Sequence, residues 1–159
     1  ALEKGTIDAA EWVGPYDDEK LGFYKVAPNY YFPGWWEGGP MLVAMINLDK
    51  WNALPKYYQH VLEQAGHLAN NWMMARYDQA NPVALKKLLA VGTKLRPFPS
   101  AVMEASFKAA KELHAEVAAG NANFKKVYDS LTSFSNNGYQ WFQVAEVGYD
   151  NFMARHSQV

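Results

Sequence analysis

The spacing of apolar residues changes near residue 47 of this 159-residue chain. Before that point the pattern is irregular, and three segments predict short strands: 6–13, 29–32 and 42–46. The last of them is a continuous apolar run, which is typical of a strand buried on both faces. Acidic residues at 17–19 favour the first turn of a short helix that ends at Gly22.

After residue 47 the pattern becomes helical. Asn47 is expected to cap a short helix through Leu54. Residues 58–73 carry apolar side chains at every third or fourth position, as in an amphipathic helix. Pro82 is expected to kink or interrupt this helix. A short strand at 94–98 and a helix from 101 to about 119 follow.

The last segment, about 122 to 155, has the most regular pattern. Apolar residues recur at steps of four and three, and a second row at steps of seven contains Val127, Phe134, Trp141 and Gly148. As one helix this segment would be about 50 Å long at ~1.5 Å per residue. A globule of this chain length is roughly 40 Å across, so the apolar stripe needs cover from another domain or a second subunit. The alternative is a helix that breaks near Gly138 and folds back.

The composition narrows the classes of function. Half of the residues are hydrophobic, the net charge is −1 and there is no cysteine. Disulfide scaffolds and thiolate metal sites are therefore excluded, and the charge balance indicates no nucleic-acid partner. The chain contains no nucleophile elbow, phosphate-binding loop or paired-histidine metal motif. Residues 1–5 resemble a last helical turn ending in glycine, which predicts a piece of a longer protein.

Two acidic residues stand beside tryptophans in segments without helical spacing, as Glu11–Trp12 and as Trp35–Trp36–Glu37. A carboxylate against aromatic walls needs a partner, which is Lys or Arg, backbone N–H groups, or a hard cation such as Na⁺ or Ca²⁺. The same residue types are typical of a small-molecule pocket. The alternative is that both acids pair with Lys or Arg and the tryptophans belong to an ordinary core. The aromatic cluster also fits a carbohydrate platform or an interface.

Three motifs carry a family resemblance: LEKGTIDAAEW at 2–12, VGPYD at 13–17 and YYFPGWWEGGP at 30–40. Together they resemble the solute-binding subunit of tripartite ATP-independent periplasmic (TRAP) transporters, in the subgroup that binds α-keto acids or lactate with a metal ion. The resemblance implies a helix-rich α/β fold, the C-terminal part of a two-lobed periplasmic binding protein. Residues 1–120 would belong to the ligand-binding lobes. Residues 121–155 would form a long helix that is exchanged between the two subunits of a homodimer.

The resemblance also implies a function without catalysis. Such a subunit works in the periplasm, captures a 2-oxo or 2-hydroxy monocarboxylate with Na⁺ or Ca²⁺, and delivers the anion to the TRAP membrane permease. The alternatives from other classes are a helical oligomerisation module and a carbohydrate-binding domain.

Site residues follow from the resemblance only where the motifs match. The carboxylates of Glu11 and Glu37 and the backbone carbonyl of Trp12 would bind the metal ion. Trp12 and Trp36 would wall the substrate pocket, and Tyr16 is a weaker candidate for a polar contact with the substrate. An arginine and a glutamine that complete the family's site lie in its N-terminal half, so no residue of this chain is assigned to those roles.

Overall fold

The computed structural model describes residues 1–157, and within them the chain forms six α-helices and two short strands. The helices are α1 (Pro15–Leu21), α2 (Leu48–Ala53), α3 (Lys56–Ala90), α4 (Ser100–Gly120), α5 (Ala122–Phe142) and α6 (Gly148–His156). The strands are β1 (Asn29–Phe32) and β2 (Lys94–Pro97), and a 3₁₀ turn (Phe23–Lys25) and a π-helical segment (Gln143–Val147) complete the elements. The helix-rich α/β class expected from the sequence is confirmed.

Local signals explain where the first helices begin and end. Helix α1 has Pro15 in its first turn and stops at Gly22, whose φ of 74° suits glycine. The Gly22 N–H donates to the carbonyls of Asp18 and Glu19. Helix α2 begins after Asn47, whose Oδ1 accepts a 3.1 Å hydrogen bond from the backbone N–H of Lys50. The predicted Asn47 cap is therefore confirmed.

Strands β1 and β2 form a parallel pair, with Asn29 opposite Lys94 and Phe32 opposite Pro97. Parallel strands need a long crossover, and here it contains α2 and α3. Beyond the pair, the Phe98 N–H donates to the Phe32 carbonyl at 2.8 Å. The strand expected at 94–98 is therefore present, one residue shorter than expected.

Two predicted strands are wrong. Residues 6–13 and 42–46 form no strand, and Met45 in the second segment is 91% exposed. A strand requires a hydrogen-bonded neighbour, and the described residues supply one only for β1 and β2. Apolar spacing shows that side chains can be buried but does not supply the strand beside them.

The expected interruption of the helix at Pro82 is also absent, because α3 continues as one helix through that residue.

By its internal contacts the chain divides into two units, Ala1–Met103 and Glu104–Val159. The dividing point lies inside α4, whereas the sequence predicts a functional division at 120/121. In the first unit, α1 packs against α3, and the buried apolar residues Ala80, Ala84 and Leu88 all lie on α3. Helix α3 therefore provides the buried apolar residues of the first unit, and α1 packs against it.

In the second unit, α5, the π-helical segment and α6 follow one another without a gap. The Asn121 side chain caps this long helix by accepting a 2.9 Å hydrogen bond from the Phe124 N–H. The helix passes through Gly138, so the alternative with a break there is wrong. Its exposed apolar side chains include Val127, Leu131, Phe134, Trp141 and Tyr149. Among residues 1–157, no helix has the length and apolar character needed to cross a membrane.

Candidate functional site

A cleft of about 970 Å³ lies within the first unit. Most of its lining comes from residues 2–40, and the rest comes from Leu88 on α3, Thr93 just before β2 and Phe98 just after β2. Four residues predicted from the motifs line this cleft together: Glu11, Trp12, Trp36 and Glu37. Two residue pairs that are more than twenty positions apart in the sequence, Glu11–Trp12 and Trp36–Glu37, therefore line the same cleft.

The positions of these motifs follow from the two elements beside them. Glu11 and Trp12 lie just before α1, whereas Trp36 and Glu37 lie just after β1. Gly34 lies close to the Trp36 ring, since a Cβ at position 34 would lie 3.2 Å from Cε2 of that ring. A larger residue at 34 would therefore displace the Trp36 ring.

The tryptophans of the site are not ordinary core residues in this chain. The Trp12 side chain is 56% exposed and that of Trp36 is 45% exposed. Trp35 and Trp36 pack edge to face, with ring centroids 5.4 Å apart and planes at 87°. This geometry is favourable for aromatic pairs and leaves ring surface open to the cleft. The alternative in which the tryptophans belong to a core is wrong for the described residues.

Among the described residues, the two acids of the cleft have no basic partner. Within residues 1–157, neither Glu11 nor Glu37 forms an ion pair with Lys or Arg. The alternative in which both acids pair with basic residues is therefore wrong for this part of the chain. Carboxylate and loop carbonyl oxygens are the donors that hard cations such as Na⁺ and Ca²⁺ prefer.

The donor set is incomplete without further oxygens. In the part of the chain that the structure describes, no three His, Cys, Asp or Glu side chains come together as a metal site. A cation beside Glu11 and Glu37 would need backbone carbonyls, such as that of Trp12, and oxygens from a bound anion. The residues present therefore fit a cation that is bound together with a ligand.

Asp18 is a cleft residue that sequence reasoning missed. It lies on α1, is only 7% exposed, and accepts a hydrogen bond at Oδ2 from the Tyr30 hydroxyl on β1. Its Oδ1 is buried without a hydrogen-bond partner. Burial raises the pKa of Asp18, the nearby charges of Asp17 and Glu11 raise it further, and the Tyr30 hydrogen bond opposes them. Burial and the same hydrogen bond raise the pKa of Tyr30.

Thr93 is a second missed cleft residue. Its side chain is buried and its Oγ1 also lacks a hydrogen-bond partner. Thr93 precedes the Asn29–Lys94 pair by one position, so strand alternation puts it on the same sheet face as Tyr30. No local signal distinguishes Asp18 from Asp17, because both look like favourable first-turn acids, and a buried threonine before a strand is common.

The structure does not bring Tyr16 into the lining of the cleft. The Lys20 ammonium lies 3.6 Å from the centroid of the Tyr16 ring. The hydroxyl accepts a 3.1 Å hydrogen bond from Nη2 of Arg76, and the backbone N–H donates to Oδ1 of Asn81 at 3.0 Å. Hydrogen bonding to Lys20 and Arg76 lowers the pKa of Tyr16. Tyr16 therefore holds α1 to α3, and its contact with a substrate stays a prediction.

The same helix pair contains a second tyrosine contact. The Tyr77 hydroxyl on α3 donates a 2.7 Å hydrogen bond to Oδ2 of Asp17 on α1. This hydrogen bond raises the pKa of Tyr77. The rings of Tyr16 and Tyr77 meet edge to face with centroids 6.0 Å apart, and Lys87 lies 3.9 Å from Glu19. Polar contacts thus hold α1 against α3.

Comparison with known proteins gives consistent matches. Residues 1–121 match the family described as bacterial extracellular solute-binding protein, family 7 (DctP). A curated relative, a monocarboxylate 2-oxoacid-binding periplasmic protein from Nostoc sp., is 49% identical over 152 residues. The match covers 96% of this chain and 42% of the relative.

Two solved structures are similar in fold. One is a TRAP transporter solute-binding protein from Bordetella bronchiseptica RB50, with a TM-score of 0.94 and 49% identity over 99% of this chain and 48% of that one. It is described as a mixed-occupancy dimer, with copurified calcium and picolinate in one active site and an apo site. The other is a TRAP periplasmic solute-binding protein from Pseudoalteromonas atlantica T6c with bound sodium and pyruvate. Its TM-score is 0.88, at 37% identity over 95% of this chain and 46% of that one. The chain thus spans less than half the length of these proteins.

Proposed function

The chain belongs to family 7 of the bacterial extracellular solute-binding proteins, and we propose that it forms part of a protein that captures a small organic acid anion together with a metal ion. The family match and the two solved structures confirm the resemblance to TRAP solute-binding subunits. Because the chain spans less than half of its relatives, ligand binding is proposed for the full-length protein.

One observation carries this proposal: Glu11 and Glu37, which pair with no Lys or Arg within residues 1–157, line the same cleft as Trp12 and Trp36. Two acids and an anionic ligand repel one another. A cation held by the Glu11 and Glu37 carboxylates and the Trp12 carbonyl would supply the opposite charge that makes this combination stable. The two tryptophan rings would form the apolar walls, with surface open to the ligand.

The ligand class follows from what the similar proteins bind. Picolinate and pyruvate both carry a carboxylate and a second donor atom on the adjacent carbon. Such a pair can place two donor atoms on one cation, which favours 2-oxo and 2-hydroxy monocarboxylates over simple carboxylates. Calcium and sodium in the similar structures both prefer oxygen donors, in agreement with the acids of this cleft.

The proposal includes where the protein works and what it does with the bound anion. We infer that the protein works in the periplasm, carries out no catalysis and delivers its anion to a TRAP membrane permease. The family and the periplasmic relatives support this setting.

A homodimer through the long terminal helix is the finer proposal about partners. Phe134 in the middle of this helix is 78% exposed, and Val127 and Trp141 are exposed one heptad to either side. An apolar row of this length is unfavourable in water and is suited to a second copy of the same helix. The dimer of the Bordetella protein supports an assembly of this kind.

Calorimetric titration of the full-length protein tests the binding proposal. Pyruvate and lactate are titrated with Ca²⁺, with Na⁺ and after chelation, and binding is expected only with a cation. Glu37→Gln should weaken cation binding at least tenfold, because the variant loses a charged oxygen donor. Glu112→Gln, which removes the same charge from an exposed position on α4, is the control. Unchanged cation affinity in Glu37→Gln would overturn the proposed metal site.

A further inference from the structure

Among residues 1–157, one side-chain hydrogen bond joins the two parts of the chain that carry the proposed cation ligands. Asp18 belongs to α1, which starts three residues after Trp12. Tyr30 belongs to β1, which ends five residues before Glu37. The Tyr30 hydroxyl donates to Oδ2 of Asp18 across this gap. The bond therefore lies between the segment that carries Glu11 and the segment that carries Glu37.

We propose that Asp18 is a positioning residue for the cation site, because its hydrogen bond with Tyr30 sets the separation of Glu11 and Glu37. The inference rests on the proposed function, since it takes these two glutamates as cation ligands. Asp18 itself is not a ligand in this proposal. It acts through Tyr30 and β1 on the turn that carries Trp36 and Glu37.

The burial of Asp18 supports a positioning role. A carboxylate that is 7% exposed and has one oxygen without a partner is costly to place. A pair of apolar side chains would pack α1 against β1 at lower cost. The carboxylate instead fixes the orientation of α1 relative to β1, because the Tyr30 hydroxyl donates to one defined oxygen atom of Asp18.

The chain provides a matched comparison. Asp17, the neighbour of Asp18, accepts a hydrogen bond from Tyr77. Both contacts join an aspartate of α1 to a tyrosine hydroxyl, and both hydroxyls can be removed by substitution with phenylalanine. Tyr77 lies on α3, however, and no proposed ligand follows it in the chain. The two bonds therefore resemble each other in chemistry and differ in which element they hold.

Cation binding to the full-length protein tests the proposal. Tyr30→Phe keeps the ring but removes the donor, and we expect a tenfold loss of Ca²⁺ affinity and a changed Ca²⁺ to Na⁺ affinity ratio. The ratio is informative because the two ions differ in charge and in the number of oxygens they take, whereas a loss of stability alone would not change it. Tyr77→Phe should leave both affinities within twofold of the wild type.

Two further variants probe the same bond from the other side. Asp18→Asn keeps an oxygen that accepts from Tyr30, so we expect Ca²⁺ affinity within threefold of the wild type. Asp18→Glu keeps the charge and the acceptor but lengthens the link by one methylene, so the ion ratio should change. This variant carries the test if Tyr30→Phe does not fold.

The outcomes separate the two levels of inference. Equal cation affinities in Tyr30→Phe, Asp18→Glu and Tyr77→Phe, with Glu37→Gln impaired, would overturn the role of Asp18 and keep the metal site. An unimpaired Glu37→Gln would overturn the metal site and the positioning role together. A selective effect of Tyr30→Phe, with Asp18→Asn close to the wild type, supports the proposal.

Discussion

The Tyr77 hydroxyl bonds to Asp17, and the next residue along α1, Asp18, receives the Tyr30 hydroxyl. Successive residues of a helix point about 100° apart. The two aspartates therefore hold α1 from two directions, against α3 on one side and β1 on the other. A helix of seven residues with little buried apolar surface is fixed in this way by directed polar contacts.

Removing the Tyr77 hydroxyl should lower stability modestly. We expect Tyr77→Phe to reduce the free energy of unfolding by about 1 kcal/mol, the usual contribution of one hydrogen bond. Urea denaturation followed by circular dichroism measures the change. Tyr139→Phe, at an exposed position on α5, should unfold like the wild type. If the two variants had equal midpoints, the Asp17–Tyr77 bond would not stabilise the fold.

Alkaline pH should destabilise the protein through two tyrosines. The pKa values of Tyr30 and Tyr77 are raised above the ordinary value of 10.0, so the folded state holds these protons more tightly than the unfolded state. Their contribution is present below pH 10 and is lost as the pH rises above it. Tyr16, whose pKa is lowered, works in the opposite direction, but solvent screens its charges.

Denaturation between pH 8 and 11 checks this dependence. The free energy of unfolding of the wild type should fall above pH 10. In the double variant Tyr30→Phe/Tyr77→Phe it should start lower and fall less steeply. Parallel curves for the two proteins would show that neither tyrosine is responsible.

Leu88 should be the most sensitive apolar position of the first unit. It is 2% exposed and lines the cleft from α3. We expect Leu88→Ala to cost about 2–5 kcal/mol, the usual range for a buried leucine that leaves a cavity. Leu89→Ala, at the exposed neighbouring position, is the control and should cost under about 1 kcal/mol. Similar losses of stability in both variants would contradict the buried position of Leu88.

The exposed row of the long helix should control assembly. A charge in Phe134→Glu would be buried in the proposed dimer interface, so we expect dimer affinity to fall at least tenfold. Sedimentation velocity of the full-length protein over a concentration series measures this affinity. Ser133→Glu adds the same charge one position away, on the polar side of α5, and should assemble normally. An unchanged dimer in Phe134→Glu would exclude this row from the interface.

The sequence predicted helices better than strands, for a physical reason. A helix satisfies its own backbone groups and its caps are local, so the Asn47 cap and the α1 stop at Gly22 could be read directly. Residues 42–46 have the composition of a buried strand but no strand partner among the described residues. Whether an apolar run becomes a strand depends on residues far away in the chain, which its own pattern cannot reveal.

The site could be predicted from the sequence only in part. The family resemblance, not the residue pattern alone, assigned Glu11, Trp12, Trp36 and Glu37 to one site, and in the structure all four line one cleft. Asp18 was missed because its hydrogen bond involves Tyr30, twelve positions later, and because its burial depends on which of two adjacent acids faces inward. A hydrogen bond such as this one depends on how helices and strands pack together. The Glu–Trp and Trp–Trp–Glu motifs, in contrast, can be recognised in consecutive residues.

The π-helical segment at 143–147 has a consequence for how the terminal helix can be recognised. A π turn contains one extra residue compared with an α-helical turn. The side chains after it are therefore rotated by about 100° around the helix axis. By this count, Tyr149 rather than Gly148 would continue the heptad row of Val127, Phe134 and Trp141. A partner that covers both parts must match this phase step, so sliding by one heptad would misalign one part. In the proposed homodimer, the π turn would therefore favour a single register of the two helices.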